Sequence, residues 1–173
     1  MSTEEKIIPT ETEHLITMKV ANNFNALSRI AGLFSGRGFN IDTLNIGDSE
    51  EPDMARGTIT TTGDTRIVEQ ITRQLDKLVD VEEVTDLTYV PHVSRELALI
   101  KVNAPAETRS EIMQVANIFR AKIIDISPIT LTIEITGNRH KVDAAIGMFR
   151  PFGLKEVART GMIAIPREYQ GEV

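Results

Sequence analysis

The sequence has 173 residues, of which 41% are hydrophobic and 25% charged, with a formal net charge of −6 and no cysteine. This composition is typical of a folded globular chain, and the length suits one medium domain or two small ones. The lack of cysteine excludes disulfides, thiolate nucleophiles and zinc sites with cysteine ligands. The acidic balance argues against nucleic acid as a partner, because binding phosphates needs a basic face.

The sequence also argues against a membrane. No apolar run approaches the roughly 18 residues that a spanning helix needs. The first residues, MSTEEKIIPTETE, are polar and acidic, unlike a secretory signal, which has a basic start and an apolar centre. We therefore expect a cytoplasmic protein with no membrane partner.

Four segments carry apolar residues at helical spacing, three of them at i, i+3, i+4 and i+7 and one as a stripe over three turns, which predicts four amphipathic helices. Asn25 stands where a helix cap is expected, and Gly38 stands where a left-handed residue ends a helix. Asp64 or Thr65 is the predicted cap of the second helix. The apolar stripes are Leu27, Ile30, Ala31 and Phe34; Val68, Ile71, Leu75, Leu78 and Val79; Ile112, Val115, Ala116 and Phe119; and Val142, Ala145, Ile146 and Phe149.

The segments between the helices are rich in β-branched residues or alternate apolar with polar residues, which predicts strands. With the helices they give the order βαββαβ twice, the split-βαβ unit of ferredoxin-like folds. We thus predict an α+β chain of two tandem ferredoxin-like domains, each with an antiparallel sheet. The predicted strands are 15–20, 39–46, 58–62, 81–87, 97–102, 123–126, 131–135 and 157–165.

The predicted organisation is a flexible tail at 1–12, a first domain at 13–89, a linker at 90–95, a second domain at 96–167 and a tail at 168–173. In such a domain both helices cover one sheet face, so an edge or the other face is free to pair with another chain. We therefore expect a homodimer.

No catalytic motif stands out. The sequence has no phosphate-binding GxxxxGKS/T, no GxGxxG, no HExxH and no GxSxG pattern. His14, His92 and His140 are far apart in sequence, which favours three surface histidines over a metal site. We expect no enzyme activity, no metal site and no cofactor in this chain.

One segment suits a small ligand. The first strand is followed at once by Asn22, Asn23, Phe24 and Asn25 and then by a helix, whose first N–H groups lack internal partners and can bind a carboxylate. Asn22 can accept from an ammonium group and donate to a carboxylate. A loop asparagine is also a common cap or turn residue, and Phe24 also suits a core position. The candidate effector-binding residues are Asn22, Asn23, Asn25, Ala26, Leu27, Asn40 and Ile41.

These residues carry a family resemblance. Asn22–Ile41, NNFNALSRIAGLFSGRGFNI, resembles the start of the ACT domain in acetolactate synthase small subunits, usually N-x-x-G-A-L-S-R-V-x-G-L-F-S-x-R-G-Y-N-I. The similarity extends over about residues 14 to 167 and covers both domains in order. Further matching segments are QLDKLVDV at 74–81, RELALIKV at 95–102, IFRAKIID at 118–125 and EVARTG at 156–161.

The resemblance implies a dimer whose ACT domains pair edge to edge in one continuous antiparallel sheet, with valine or another branched-chain amino acid at that interface. It implies that Asn22 contacts the polar head of the amino acid and that Asn40 contributes from the neighbouring chain. It also implies a large catalytic partner that carries thiamine diphosphate, magnesium and FAD, and whose activity and valine sensitivity depend on this chain.

Asn25 departs from the family pattern, which has glycine there. The expectation is that its side chain caps the helix, competes with the effector and weakens valine binding. Two other classes remain open. An RNA-recognition module has the same topology, although the predicted strand at 56–62 lacks the stacking aromatics. A transcriptional or adaptor protein built on ACT domains, with an effector other than valine, is the second.

Overall fold

The computed structural model describes residues 12–168. The predicted tail residues 1–11 and 169–173 lie outside this range, and Thr12 already belongs to the first strand. Within it the helices are α1 Ala26–Gly36, α2 Thr65–Leu75, α3 Ala106–Ile118 and α4 Arg139–Phe149. The strands are β1 Thr12–Ala21, β2 Thr43–Asp48, β3 Met54–Gly63, β4 Val81–Asp86, β5 His92–Asn103, β6 Lys122–Ile126, β7 Thr130–Gly137, β8 Leu154–Arg159 and β9 Ile163–Pro166.

The chain forms two compact units that divide after His92, with Pro166, Arg167 and Glu168 belonging to the first. The first sheet has the strand order β2-β3-β1-β4 and the second has the equivalent order β6-β7-β5-β8, with β9 added to β5. The pairs β1–β3, β1–β4 and β2–β3 are antiparallel, as are their counterparts in the second unit. The predicted α+β architecture of two tandem βαββαβ units is confirmed.

In the first unit, alternate residues of β1 point into the core. Ile16, Met18 and Val20 are buried there with Ile30 and Phe34 of α1, because residues two apart in a strand share one face. The predicted helix stripes hold except at two positions. Leu27 is 44% exposed because the buried stripe of α1 runs from Ala26 instead, and Val79 is 85% exposed because α2 ends at Leu75.

The second unit repeats this arrangement. Ala98, Ile100 and Val102 of β5 are buried beneath α3 and α4. The predicted stripes of both helices line this core, with Phe119 and Ile146 at its partly buried margin. In each unit, both helices therefore pack on the same apolar face of the sheet, as predicted.

Several segment boundaries differ from the sequence-based ones. Strand β5 begins at His92, inside the predicted linker at 90–95. The predicted strand 157–165 is two strands, β8 and β9, because the chain turns at Gly161 with φ +75°. The expectation of three surface histidines is wrong for His14, which is fully buried with its Nδ1 3.3 Å from the Thr88 hydroxyl. No helix among the described residues is long and apolar enough to cross a membrane.

An ion-pair network fixes one end of β8 in the second unit. Nε and Nη2 of Arg159 donate to the two carboxylate oxygens of Glu96, 2.5 and 2.9 Å away, and the Glu96 side chain is only 3% exposed. Nη1 of Arg159 lies 2.7 Å from the Asp143 carboxylate on α4. The hydrogen bonds that Arg159 donates to Glu96 and Asp143 raise the pKa of Arg159 above its ordinary value despite partial burial. One guanidinium therefore joins β5, β8 and α4.

The substitution Arg159→Met should leave the buried Glu96 carboxylate without its ion-pair partner. We expect it to lower the free energy of unfolding by about 3 kcal/mol, the lower end of the cost of breaking a buried ion pair, because Arg159 is partly exposed. Urea denaturation measures this change. The control Lys122→Met removes an exposed cation 3.9 Å from Glu134 in the same unit and should change stability by less than about 0.5 kcal/mol; equal effects would contradict the assignment.

Candidate effector site

The start of α1 is capped by Asn23, not by Asn25. Oδ1 of Asn23 accepts from the backbone N–H groups of Asn25 and Ala26, both at 3.0 Å. Asn25 itself makes no side-chain cap hydrogen bond and already has helical dihedrals, φ −95° and ψ −22°. The expectation that the Asn25 side chain caps the helix is therefore wrong, whereas weaker valine binding than in relatives with glycine at this position stays a prediction. The predicted caps at Gly38, with φ +70°, and Asp64, which accepts from the N–H of Arg66, are confirmed.

Asn23 also ties this helix to the loop before β4. Its Nδ2 donates to Oδ1 of Asp80 at 2.9 Å, and the other oxygen of Asp80 accepts from Nη1 of Arg29 at 2.6 Å. The N–H of Ala21 donates to the Asp80 carbonyl at 2.7 Å. Asp80 thus holds the end of β1 and the first turn of α1 in a fixed relation.

Asn22 reaches in the other direction, toward β2. Its Nδ2 donates to Oδ1 of Asp48 at 3.0 Å, and its backbone N–H donates to the Asp53 carbonyl at 2.7 Å. A carboxylate only accepts hydrogen bonds, so the amide must present its NH2 group to Asp48. The carbonyl oxygen of the Asn22 side chain is therefore directed away from Asp48.

Ion pairs brace the turn between β2 and β3. Nζ of Lys19 lies 2.6 Å from the Glu51 carboxylate and 3.6 Å from that of Glu82, and the hydrogen bond to Glu51 raises the pKa of Lys19. Arg56 pairs with Glu50 at 2.9 Å. The pKa of Glu50 is lowered, first by its own backbone N–H and then by Arg56. These contacts hold the turn that follows Asp48.

Together these residues surround a pocket of about 380 Å³ at the start of α1, within the size range of small-molecule sites. Four of the seven predicted site residues line it, namely Asn22, Asn23, Ala26 and Leu27. Residues that the sequence-based set did not include complete the lining: Ala21, Phe24, Ile46, Gly47, Asp48 and Ala55.

The three remaining predicted residues lie elsewhere in the single chain. The Asn25 side chain is exposed and outside the lining. Nδ2 of Asn40 donates to Asp42 at 2.8 Å, and the Asn40 carbonyl accepts from the Thr61 hydroxyl at 2.7 Å. Ile41 packs partly buried against the first core. A contribution of Asn40 and Ile41 to the site of a neighbouring chain stays a prediction.

Three of the missed residues, Ile46, Gly47 and Asp48, come from the end of β2, which lies level with the end of β1. Asp48 pairs with Ala55 on β3, and Ala55 pairs with Val20 on β1. The strand order alone does not give this register, so sequence reasoning had no means of placing Asp48 beside Asn22. Phe24, which also suited a core position in the sequence, is fully exposed.

The pocket has distinct polar and apolar sides. The N–H groups of Leu27 and Ser28 follow the two that Asn23 caps, at the positive end of the helix dipole. Phe24, Leu27 and Ile46 form an apolar wall, and all three are exposed hydrophobic residues. No cluster of three or more His, Cys, Asp or Glu suited to a metal exists among residues 12–168. The arrangement suits an anionic group joined to a small apolar one.

Removing the observed cap tests the assignment. Asn23→Ala should lower the free energy of unfolding by about 1 kcal/mol, the usual cost of losing an asparagine N-cap. Asn25→Ala is the neighbouring control and should cost a few tenths of a kcal/mol at most, because its side chain caps nothing. Urea denaturation of both variants decides between them, and a larger loss for Asn25→Ala would refute the assignment.

Comparisons with known proteins identify the family of the chain. The family described as "AHAS small subunit-like ACT domain" matches residues 16–83, and "Small subunit of acetolactate synthase" matches residues 95–168. The acetolactate synthase small subunit of Aquifex aeolicus is 48% identical over 157 residues, covering 90% of this chain and 82% of that protein. The probable small subunit of Methanothermobacter thermautotrophicus is 51% identical, covering 89% and 92%.

A solved structure shows the same fold. The crystal structure of the acetolactate synthase small subunit from Thermotoga maritima has a TM-score of 0.85 and 44% sequence identity, and the match covers 91% of this chain and 99% of that one. Both family matches and these relatives span both units of the chain. The chain therefore belongs to the family of acetolactate synthase small subunits, and its first unit is an ACT domain.

Proposed function

We propose that this chain is a cytoplasmic regulatory subunit of acetolactate synthase. It binds a separate catalytic subunit, raises the activity of that subunit and makes it sensitive to valine or another branched-chain amino acid. Thiamine diphosphate, magnesium and FAD belong to the catalytic partner in this proposal. The observation that carries it is the pocket at the start of α1, on the ACT domain and beside the outer strand β2.

The pocket fits the two ends of a branched-chain amino acid. A carboxylate accepts from the N–H groups of Leu27 and Ser28, where the helix dipole favours negative charge. The branched side chain lies against Phe24, Leu27 and Ile46, which are otherwise exposed. Burying those side chains supplies the apolar part of the binding free energy.

The proposed homodimer pairs through β2. Its register against β3 is unbroken from Thr43 to Asp48. Three other outer strands, β4, β6 and β8, each show a register shift against their neighbour, and such irregularities hinder edge pairing. A regular outer strand is the better template for a second strand.

Antiparallel pairing of two β2 strands would bring in two of the three predicted residues that the single-chain pocket lacks. In such a pair the start of one strand lies beside the end of the other. Asn40 and Ile41 immediately precede β2, whereas Ile46 and Asp48 at its end line the pocket. Asn40 of the partner subunit then faces the effector, so that the effector contacts both copies.

An effector held between two copies can transmit its binding to a third protein. The ligand favours whichever dimer arrangement completes its site, and a catalytic subunit that reads that arrangement responds. Coupling of about 1–3 kcal/mol is enough for a 5- to 150-fold change in affinity. This chain therefore needs no catalytic group to control the synthase.

The direct test assays a purified catalytic subunit with and without the full chain, across valine, leucine and isoleucine. We expect activation by the chain and inhibition by at least one of the three amino acids only when the chain is present. Leu27→Asp should abolish that inhibition, because it sets a negative charge beside the effector carboxylate, and should leave activation intact. Ile67→Asp adds the same charge to the first turn of α2, outside the pocket lining, and should leave both responses unchanged.

Failure of the chain to bind or activate the catalytic subunit would refute the proposal. Activation with no response to any of the three amino acids would refute the sensing role and favour an ACT regulator with another effector. Binding of the chain to RNA in a gel shift would favour the nucleic-acid class instead.

A separate measurement tests the pairing edge. Asn45→Lys places on β2 the kind of residue that natural edge strands use to prevent pairing, and should shift the sedimentation coefficient from dimer to monomer. Asn45→Thr is the matched control, since threonine favours strands, and should stay dimeric. A dimer that survives Asn45→Lys unchanged would show that another surface forms the interface.

A further inference from the structure

The pocket carries one charge, on the side opposite the helix. Of its ten lining residues only Asp48 has an ionisable side chain. Asp48 is exposed at the end of β2, and only its Oδ1 receives the hydrogen bond from Asn22. A carboxylate offers about four acceptor sites, so Oδ2 retains the capacity to accept from a ligand.

The hydrogen bond between Asn22 and Asp48 also orients the amide. Because Nδ2 of Asn22 is directed at Asp48, one of its two N–H groups is engaged there, and its carbonyl oxygen is the acceptor that this side chain offers a ligand. Each of the two side chains therefore keeps an acceptor for a ligand, Oδ2 on Asp48 and the carbonyl oxygen on Asn22. Two such acceptors with one negative charge suit a cation with several N–H donors, which an ammonium group is.

We propose that Asp48 and the Asn22 carbonyl oxygen bind the α-ammonium group of the effector, so that the site selects α-amino acids over 2-oxo acids of the same carbon skeleton. The inference rests on the proposed function and adds the group that determines its ligand class. A 2-oxo acid has the same carboxylate and the same side chain but places a carbonyl oxygen before the acceptors. That carbonyl oxygen has no hydrogen to donate and is repelled by the oxygens of Asp48 and Asn22.

The position of Asp48 matches the two poles of a zwitterion. The carboxylate lies at the N–H groups of α1, and the ammonium lies toward the end of β2, with Ala55 between the strands as the buried floor. The pairing of Asp48 with Ala55, and of Ala55 with Val20, sets the height of Asp48 above β1. Lys19 and Glu51 hold the following turn, so the strand end has a fixed place.

Calorimetry on the full-length chain tests this selectivity with L-valine and 3-methyl-2-oxobutanoate. The unmodified protein should bind valine at least about 10-fold more tightly than the 2-oxo acid, the lower end of what one charge-assisted hydrogen bond contributes. Asp48→Asn removes the charge and keeps the shape, and should weaken valine binding about 10- to 100-fold while changing affinity for the 2-oxo acid by less than about 3-fold. Asp48→Ala should behave in the same way.

The matched control is Asp76→Asn, which removes an exposed carboxylate at the end of α2, outside the pocket lining, and should leave valine affinity unchanged. Valine binding that survives Asp48→Asn within about 2-fold, or equal binding of the two ligands by the unmodified protein, would overturn the assignment of Asp48 and leave the sensing role intact. Absence of binding by valine, leucine and isoleucine to the unmodified protein would instead overturn the proposed function, and this inference with it.

Discussion

The N-terminal end of α1 is the constraint on which the arrangement of the first unit depends. A helix begins with N–H groups that have no internal partner, and they must be satisfied by a side chain, water or a ligand. Here Asn23 takes two of them and is itself held by Asp80 and Arg29. Asn22, one residue earlier, joins the same end of the helix to β2 through Asp48. Two consecutive asparagines thus connect the start of α1 to β2 on one side and to the loop before β4 on the other, and the uncapped N–H groups of α1 lie between these contacts.

The two units share one topology but use their sheet edges differently. Strand β2 keeps a regular register, whereas its counterpart β6 has a shift between Ile123 and Asp125. A bulged outer strand resists pairing, and a regular one invites it. In the second unit, Arg159 instead forms ion pairs with Glu96 and Asp143 of the same unit. A duplicated fold therefore supplies one unit suited to pairing and one whose strands are fastened to each other.

Sequence patterns predicted the helices and the order of helices and strands, because apolar periodicity and strand propensity are local properties. The family was predicted from the resemblance of the segment at 22–41 and of the later segments. The patterns also gave four of the pocket residues, since Asn22, Asn23, Ala26 and Leu27 lie on one continuous segment. They failed where the answer depends on dihedral angles or register. Asn25 has the right residue type for a cap, but its backbone is already helical. Asp48 is 26 residues from Asn22 and approaches it only through the pairing of three strands.

The location of the pocket explains how a chain with no identified catalytic group can exert control. A site enclosed within one monomer would bind its ligand equally well in any assembly, and equal affinity for two states shifts neither. A site at the end of an outer strand is different, because the proposed second copy alters its lining through Asn40 and Ile41. Ligand binding and the geometry of pairing are then coupled. Because such coupling is reciprocal, a partner that favours one pairing geometry also changes the affinity for the ligand. In the proposed complex, contact between the catalytic partner and the dimer is enough for the effector to influence the partner.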